Sequence, residues 1–123
     1  MADGEKLVFM VTRGPDEPEL ATIPFVMAAA ALASDVQVVL GFQGDGVELV
    51  HRGVAEGIEA SGFPPLRKLL DDVRELGGLL LVCAPCIKSR GIAAPDDLVA
   101  GAEVVAAGRF IAEITSATNS LVY

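Results

Sequence analysis

The chain contains no tryptophan, one tyrosine and one histidine, and aromatic residues make up only 5% of its 123 positions. A core without large rings must be filled by Ala, Val, Leu and Ile, which suits helices packed closely on a sheet. Basic residues are scarce too: nine Lys and Arg stand against seventeen Asp and Glu, a formal charge of −8. That sign is opposite to a phosphate-binding surface, so neither nucleic acid nor an anionic membrane is an expected partner. Long hydrophobic runs are also missing. The stretch LATIPFVMAAAALA, residues 20–33, is nearly uncharged, but it contains a proline and falls short of the roughly 20 residues that span a bilayer. It reads as a buried helix. The opening MADGEKLVFMV lacks a basic region leading into an apolar segment and a cleavage site, so no secretory signal is read and a cytoplasmic location is expected.

Cysteine is limited to Cys83 and Cys86, three apart. In a reducing compartment such a pair is chemistry or packing rather than a structural staple, and a bridge between i and i+3 closes too small a loop to stabilise much. With His51 the two thiols offer three candidate ligands, short of the four of a structural zinc site. Gly41, Gly44 and Gly46 do not match a dinucleotide fingerprint, and no Gly-Lys-Ser/Thr phosphate loop is present. No metal and no cofactor is expected.

What is present is an alternation of strand and helix patterns over one domain, residues 1–123, long enough to bury a core without staples. KLVFMVT at 6–12 reads as a strand, followed by a helix that begins at Pro18 or Pro24 and runs through Ala33. DVQVVLGF at 35–42 reads as a second strand ending in the loop Gln43-Gly44-Asp45-Gly46. Residues 47–60 mix two periods and are expected to be a short helical or irregular excursion. PLRKLLDDVREL at 65–76 has one apolar stripe, Leu66, Leu69, Leu70, Val73 and Leu76, and ends at Gly77-Gly78. Leu79 to Val82 is a continuous apolar run, as in a parallel strand buried on both faces. A last helix is expected from Pro95-Asp96-Asp97 through Ile114, with the two acids in its first turn, and a last strand at Leu121-Val122-Tyr123. The pattern predicts a three-layer α/β/α sandwich with a central, mostly parallel sheet of about five strands, whose ligand sites lie beyond the carboxyl ends of the strands.

The segment LLLVCAPCIKSRGI, residues 79–92, therefore places its cysteines at such an end. Four readings are open there. Cys-Ala-Pro-Cys differs by one residue from a thioredoxin-type motif, but the residues after it lack that fold's hairpin. A metal knuckle lacks ligands within one chain. Both thiols can be small buried hydrophobes. Alternatively, one is a sulfur nucleophile, its thiolate favoured by the following helix N-terminus and by Arg90, with Lys88 adding charge or simply solvated. His51 is either a proton donor near Cys83 or an exposed loop residue. Thr12-Arg13-Gly14 should face the same end of the sheet.

The spacing of an apolar strand, Cys83 and then Arg90-Gly91 resembles the DsrE/DsrF/TusD-like sulfur-relay family. So do the opening VFMVTRGPDEP before an Ala-rich helix, the loop GFQGDGVELVHRG, the helix start FPPL, and DDLVAGAEVV beyond the cysteines. The similarity is collinear over nearly the whole chain. It implies an α/β fold, assembly as a homotrimer or homohexamer, and passage of persulfide sulfur between donor and acceptor proteins. Cys83 matches the reactive position. Cys86 matches an additional cysteine present only in some members, and three roles stay open for it in this chain: resolving a persulfide to a disulfide, tuning Cys83, or packing.

Two functions follow for testing: a cytoplasmic persulfide carrier or sulfurtransferase using Cys83, and a non-catalytic oligomeric module binding a small ligand or a protein. A depressed Cys83 pKa is what sulfur transfer calls for; an ordinary or raised one suits the module.

Overall fold

The structure, a computed structural model, describes residues 4–123; the first three residues of the stretch inspected for a secretory signal lie outside that range. Five strands form one sheet: β1 (Lys6–Val11), β2 (Gln37–Phe42), β3 (Leu79–Cys83), β4 (Ala102–Val105) and β5 (Asn119–Val122). Their order is β4-β3-β2-β1-β5, and every neighbouring pair is parallel. Four helices accompany them: α1 (Pro18–Ala33), α2 (Leu66–Glu75), α3 (Ala84–Ser89) and α4 (Ala107–Thr115). This is the expected three-layer sandwich.

The period of two along each strand divides the core. Phe9, Val11, Val38, Leu40, Phe42, Leu80 and Val82 face α1 and α2, and meet Phe25, Ala28, Leu66 and Leu70. Val8, Met10, Val39, Leu81 and Val105 face the other way, where α4 meets them through Phe110. The first face has α1, α2, the short α3 through Ile87, and two 3-10 segments over it; the second has a single nine-residue helix. Phe110 fits there because β2 offers Gly41, where an added Cβ would stand 2.8 Å from the Phe110 ring and from the Met10 sulfur.

The first helix starts at Pro18, whose missing N–H is no loss at that position, and carries Pro24 buried in its interior. It ends in a Schellman motif: Val36 N–H donates to Ala31 O and Asp35 N–H to Leu32 O, with Asp35 at φ 64°. Asp35 is thus the helix cap and not the start of β2. The second helix ends the same way, Gly78 N–H donating to Val73 O and Gly77 N–H to Arg74 O. Leu76 is therefore past the helix, 53% exposed, while the other four residues of its stripe are buried. Residues 47–60 are indeed an irregular excursion, with 3-10 turns at Gly44–Val50 and Ala55–Gly57.

One expectation fails. No helix begins at Pro95: residues 94–97 form a turn, Leu98 makes an antiparallel bridge to His51, and Val99 N–H donates to Val50 O. Asp97 accepts from the Ala93 N–H, and the Asp96 carbonyl accepts from Arg52 Nε, so neither acid starts a helix. Ala102–Val105 then pairs with β3 as an edge strand, and the helix begins only at Ala107. The four-residue strand has Ala and Glu in its first two positions, which are poor strand formers. Pairing with an already buried β3 outweighs that local preference. Among the described residues no helix is long and apolar enough to cross a membrane.

Candidate functional site

Cys83 is the last residue of β3, in register with Val105 of β4, and it also caps the six-residue α3. Pro85 in the first turn of that helix has no N–H to leave unpaired. Cys86 follows one turn later, so both sulfurs lie on the same side of the turn. The Cys86 sulfur stands 2.6 Å from the Cys83 sulfur, and both are free thiols. That is inside ordinary contact but longer than the roughly 2.05 Å of a disulfide bond. Both residues are half-buried.

Loops from two other strand ends complete the surroundings. The segment after β2 folds over the end of β1 because position 46 is glycine: a Cβ there would stand 2.0 Å from the Val11 carbonyl oxygen. This close approach brings the Gly44 N–H to 3.3 Å from the Cys86 sulfur, to which it donates. The same loop presents Asp45 and Glu48 to Arg90. Arg90 Nη2 lies 2.8 Å from Asp45 Oδ1, its Nε lies 3.9 Å from Glu48 Oε2, and its Nη1 donates to the Cys86 carbonyl at 3.1 Å. The hydrogen bond to the Asp45 carboxylate raises the pKa of the Arg90 guanidinium. Gly14, after β1, packs on Asp45 from the far side.

The electrostatics of Cys83 differ from the sequence expectation. Burial pushes its thiol up, and the adjoining Cys86 sulfur pushes the same way; the Cys86 backbone N–H and the Arg90 charge pull down but do not prevail. Two structural reasons account for this. The following helix is only six residues long and closes no side-chain cap hydrogen bond to Cys83, so its dipole is short. Arg90, which the sequence placed beside the thiolate, is engaged by Asp45.

Of the five residues singled out, Cys83, Cys86 and Arg90 come together. His51 does not join them: its backbone N–H donates to Glu48 O and it bridges Leu98, and among the described residues its ring makes no hydrogen bond. Lys88 is exposed and forms no ion pair among the described residues, which matches a solvated cation. Arg13 pairs with Glu17, both about half exposed. Residues missed by sequence reasoning are Gly44 and Asp45. The loop holding them was visible as turn chemistry, but nothing local shows that its acid meets an arginine 45 positions on. Among the described residues no group of three or more His, Cys, Asp or Glu is arranged to hold a metal.

Larger concavities lie away from the thiols. One of 660 Å³ runs between α1 and β5, lined by Leu7, Phe9, Met27 and Leu121 among others. Another of 430 Å³ sits at the amino ends of the strands near Lys6 and Glu113.

Comparison with known proteins bears on the family and the fold. The model of the DsrE/DsrF-like family matches residues 5–123. The uncharacterized protein MJ0989 of Methanocaldococcus jannaschii is 27% identical over 118 residues, covering 96% of this chain and 99% of its own. MJ0760 of the same organism is 28% identical over 107 residues; the match takes in 87% of this chain but 38% of that longer protein. Among solved structures, the ychN protein from E. coli superposes with a TM-score of 0.81 at 20% identity, over 97% of this chain and 99% of that one. MTH1491 from Methanobacterium thermoautotrophicum gives 0.72 at 17% identity, with the same coverages. Identities this low establish a shared fold.

Proposed function

Since the chain belongs to the DsrE/DsrF-like family, a family of sulfur-relay-type proteins, we propose that it is a cytoplasmic persulfide carrier or sulfurtransferase in a sulfur-relay or sulfur-oxidation pathway, with Cys83 as the accepting thiol. Attack of the Cys83 thiolate on the terminal sulfur of a donor persulfide leaves Cys83 carrying that sulfur and releases the donor thiolate. An acceptor protein's cysteine then removes it. The observation that carries this reading is the half-buried Cys83 at a strand's carboxyl end, with a second thiol 2.6 Å from its sulfur and a guanidinium close enough to act on its charge.

The test uses the Cys86→Ala chain, in which only one thiol remains. After exposure to inorganic polysulfide and desalting, its intact mass should rise by about 32 Da, one sulfur. Replacing Cys83 as well should abolish the gain. No adduct on Cys86→Ala, or one that survives loss of Cys83, overturns the assignment.

The chain is further proposed to act as a homotrimer or homohexamer. In support, Leu20 and Met27 of the almost uncharged α1 are 41% and 43% exposed, and the apolar groove between α1 and β5 lies open beside them. Light scattering decides this: a monomer at high concentration counts against it.

That groove also favours a second reading, a non-catalytic oligomeric module that binds a ligand or protein there. The raised Cys83 pKa stands on the same side. A chain that forms oligomers but loads no sulfur would be such a module.

A further inference from the structure

We propose that Cys86 is a resolving thiol, which attacks a persulfide on Cys83, closes a Cys83–Cys86 disulfide and expels hydrosulfide. This rests on the reading of Cys83 as the sulfur acceptor and assigns the second cysteine a step of its own.

Three features of the geometry carry it. The two sulfurs are already 2.6 Å apart, so bond formation asks for no rearrangement of the backbone. The Cys86 sulfur, unlike a thiol that merely packs, accepts a backbone N–H, that of Gly44 at 3.3 Å, which fixes its position beside Cys83. Its turn is also anchored: the Cys86 carbonyl accepts from both Arg90 Nη1 and Ser89 Oγ, at 3.1 and 3.0 Å, which keeps the sulfur over Cys83. The Arg90 charge is close enough to be felt by the Cys86 sulfur as well as by that of Cys83.

The step balances as follows. Loaded Cys83 carries an inner sulfur, its own Sγ, and an outer one. The Cys86 thiolate attacks the inner sulfur, and the Sγ–Sγ bond forms as the bond from inner to outer sulfur breaks. The outer sulfur leaves with the bonding pair as hydrosulfide. Two cysteine sulfurs are oxidised to a disulfide and one sulfane sulfur is reduced to sulfide. An external dithiol must then reduce the disulfide before the next cycle. The site thus has two exits for sulfur: transfer to an acceptor's cysteine when one is docked, and release as hydrosulfide when none is.

The experiment compares wild-type chain, Cys86→Ser and Cys83→Ser, each reduced, desalted and given one equivalent of sulfane sulfur as inorganic polysulfide under anaerobic conditions. Wild type should end about 2 Da below its reduced mass and release close to one hydrosulfide per chain beyond the sulfide that the donor itself leaves on giving up its sulfur. Cys86→Ser should keep about 32 Da and release that excess hydrosulfide at least about tenfold more slowly, and Cys83→Ser should do neither. Wild type that retains the added sulfur without losing hydrosulfide overturns the proposal, as does Cys86→Ser or Cys83→Ser releasing it at the wild-type rate. The wild-type result alone is decisive if a variant does not fold. Stable loading of both wild type and Cys86→Ser would remove the resolving step and leave the carrier reading standing; no loading of either would remove both.

Discussion

Arg90 Nη2 stands 2.8 Å from Asp45 Oδ1, so the cation nearest the two thiols is held by a carboxylate from another loop. The pair is at the surface, Arg90 29% and Asp45 65% exposed, where such contacts are weak and exchange readily. Arg90 can therefore be recruited from Asp45 to an anionic sulfur at small cost. Asp45→Asn is expected to lower the apparent pKa of the Cys83 thiol by less than about one unit, as a surface charge pair allows. Arg90→Ala should raise it. The pH dependence of iodoacetamide alkylation on a Cys86→Ala background reads both directly.

The same measurement on the wild-type thiols carries a sign. Because burial holds the Cys83 pKa up, its alkylation should keep rising with pH beyond the free thiol's midpoint of about 8.5. A plateau reached below that pH would mean a thiolate already favoured in the resting site.

Gly46→Ala should damage the site and the fold together. The added methyl carbon would stand 2.0 Å from the Val11 carbonyl oxygen and 2.7 Å from its carbon, both backbone atoms that cannot swing aside. A loss of about 1–3 kcal/mol is expected, as for other overpacked sites, measurable by urea denaturation. The Gly44 N–H should be carried away from Cys86, so Cys86 alkylation should change as well.

Phe110→Ala tests the thin layer of the sandwich. Phe110 is 4% exposed and is the main buried contact of α4 with Val8, Met10, Val39 and Leu81. The cost should be about 3–5 kcal/mol, the usual range for a buried Phe truncated to Ala. Increased binding of a hydrophobic dye under native conditions should accompany it, because no second helix covers that face.

Glu113 gives the acid dependence. Its carboxylate lies 2.7 Å from Lys6 Nζ and 2.8 Å from Arg109 Nε with 15% of the side chain exposed, and these two donors, Lys6 foremost, hold its pKa down. A depressed carboxylate pKa means that the unfolded chain binds the proton more readily. The contribution is therefore fully present above the unfolded value of about 4.3 and is lost as pH falls through the folded one. Glu113→Gln should cost about 1–3 kcal/mol at neutral pH, since Lys6 is left half-satisfied. It should also flatten the fall in stability below pH 4.3, which thermal melts across that range would show.

Much of this protein was determined by local sequence. The apolar, β-branched runs at 6–11 and 37–42, the greasy run at 79–82 and the stripe of α2 each carry their own signal, since a buried strand or an amphipathic helix needs no distant partner to be recognised. They place Cys83 at a strand's carboxyl end, and Arg90 one helical turn beyond Cys86. The tertiary structure decided the rest. AEVV at 102–105 became a strand because β3 offered a free edge, although its Ala-Glu start continues a helical pattern. Arg90 met Asp45, and Gly44 met Cys86, through a loop laid over the end of β1 by Gly46, contacts spanning more than forty residues that no periodicity encodes. The thiol's pKa followed from the same contacts: the sequence supplied a cysteine and an arginine close together, and long-range packing set both the burial of one and the partner of the other.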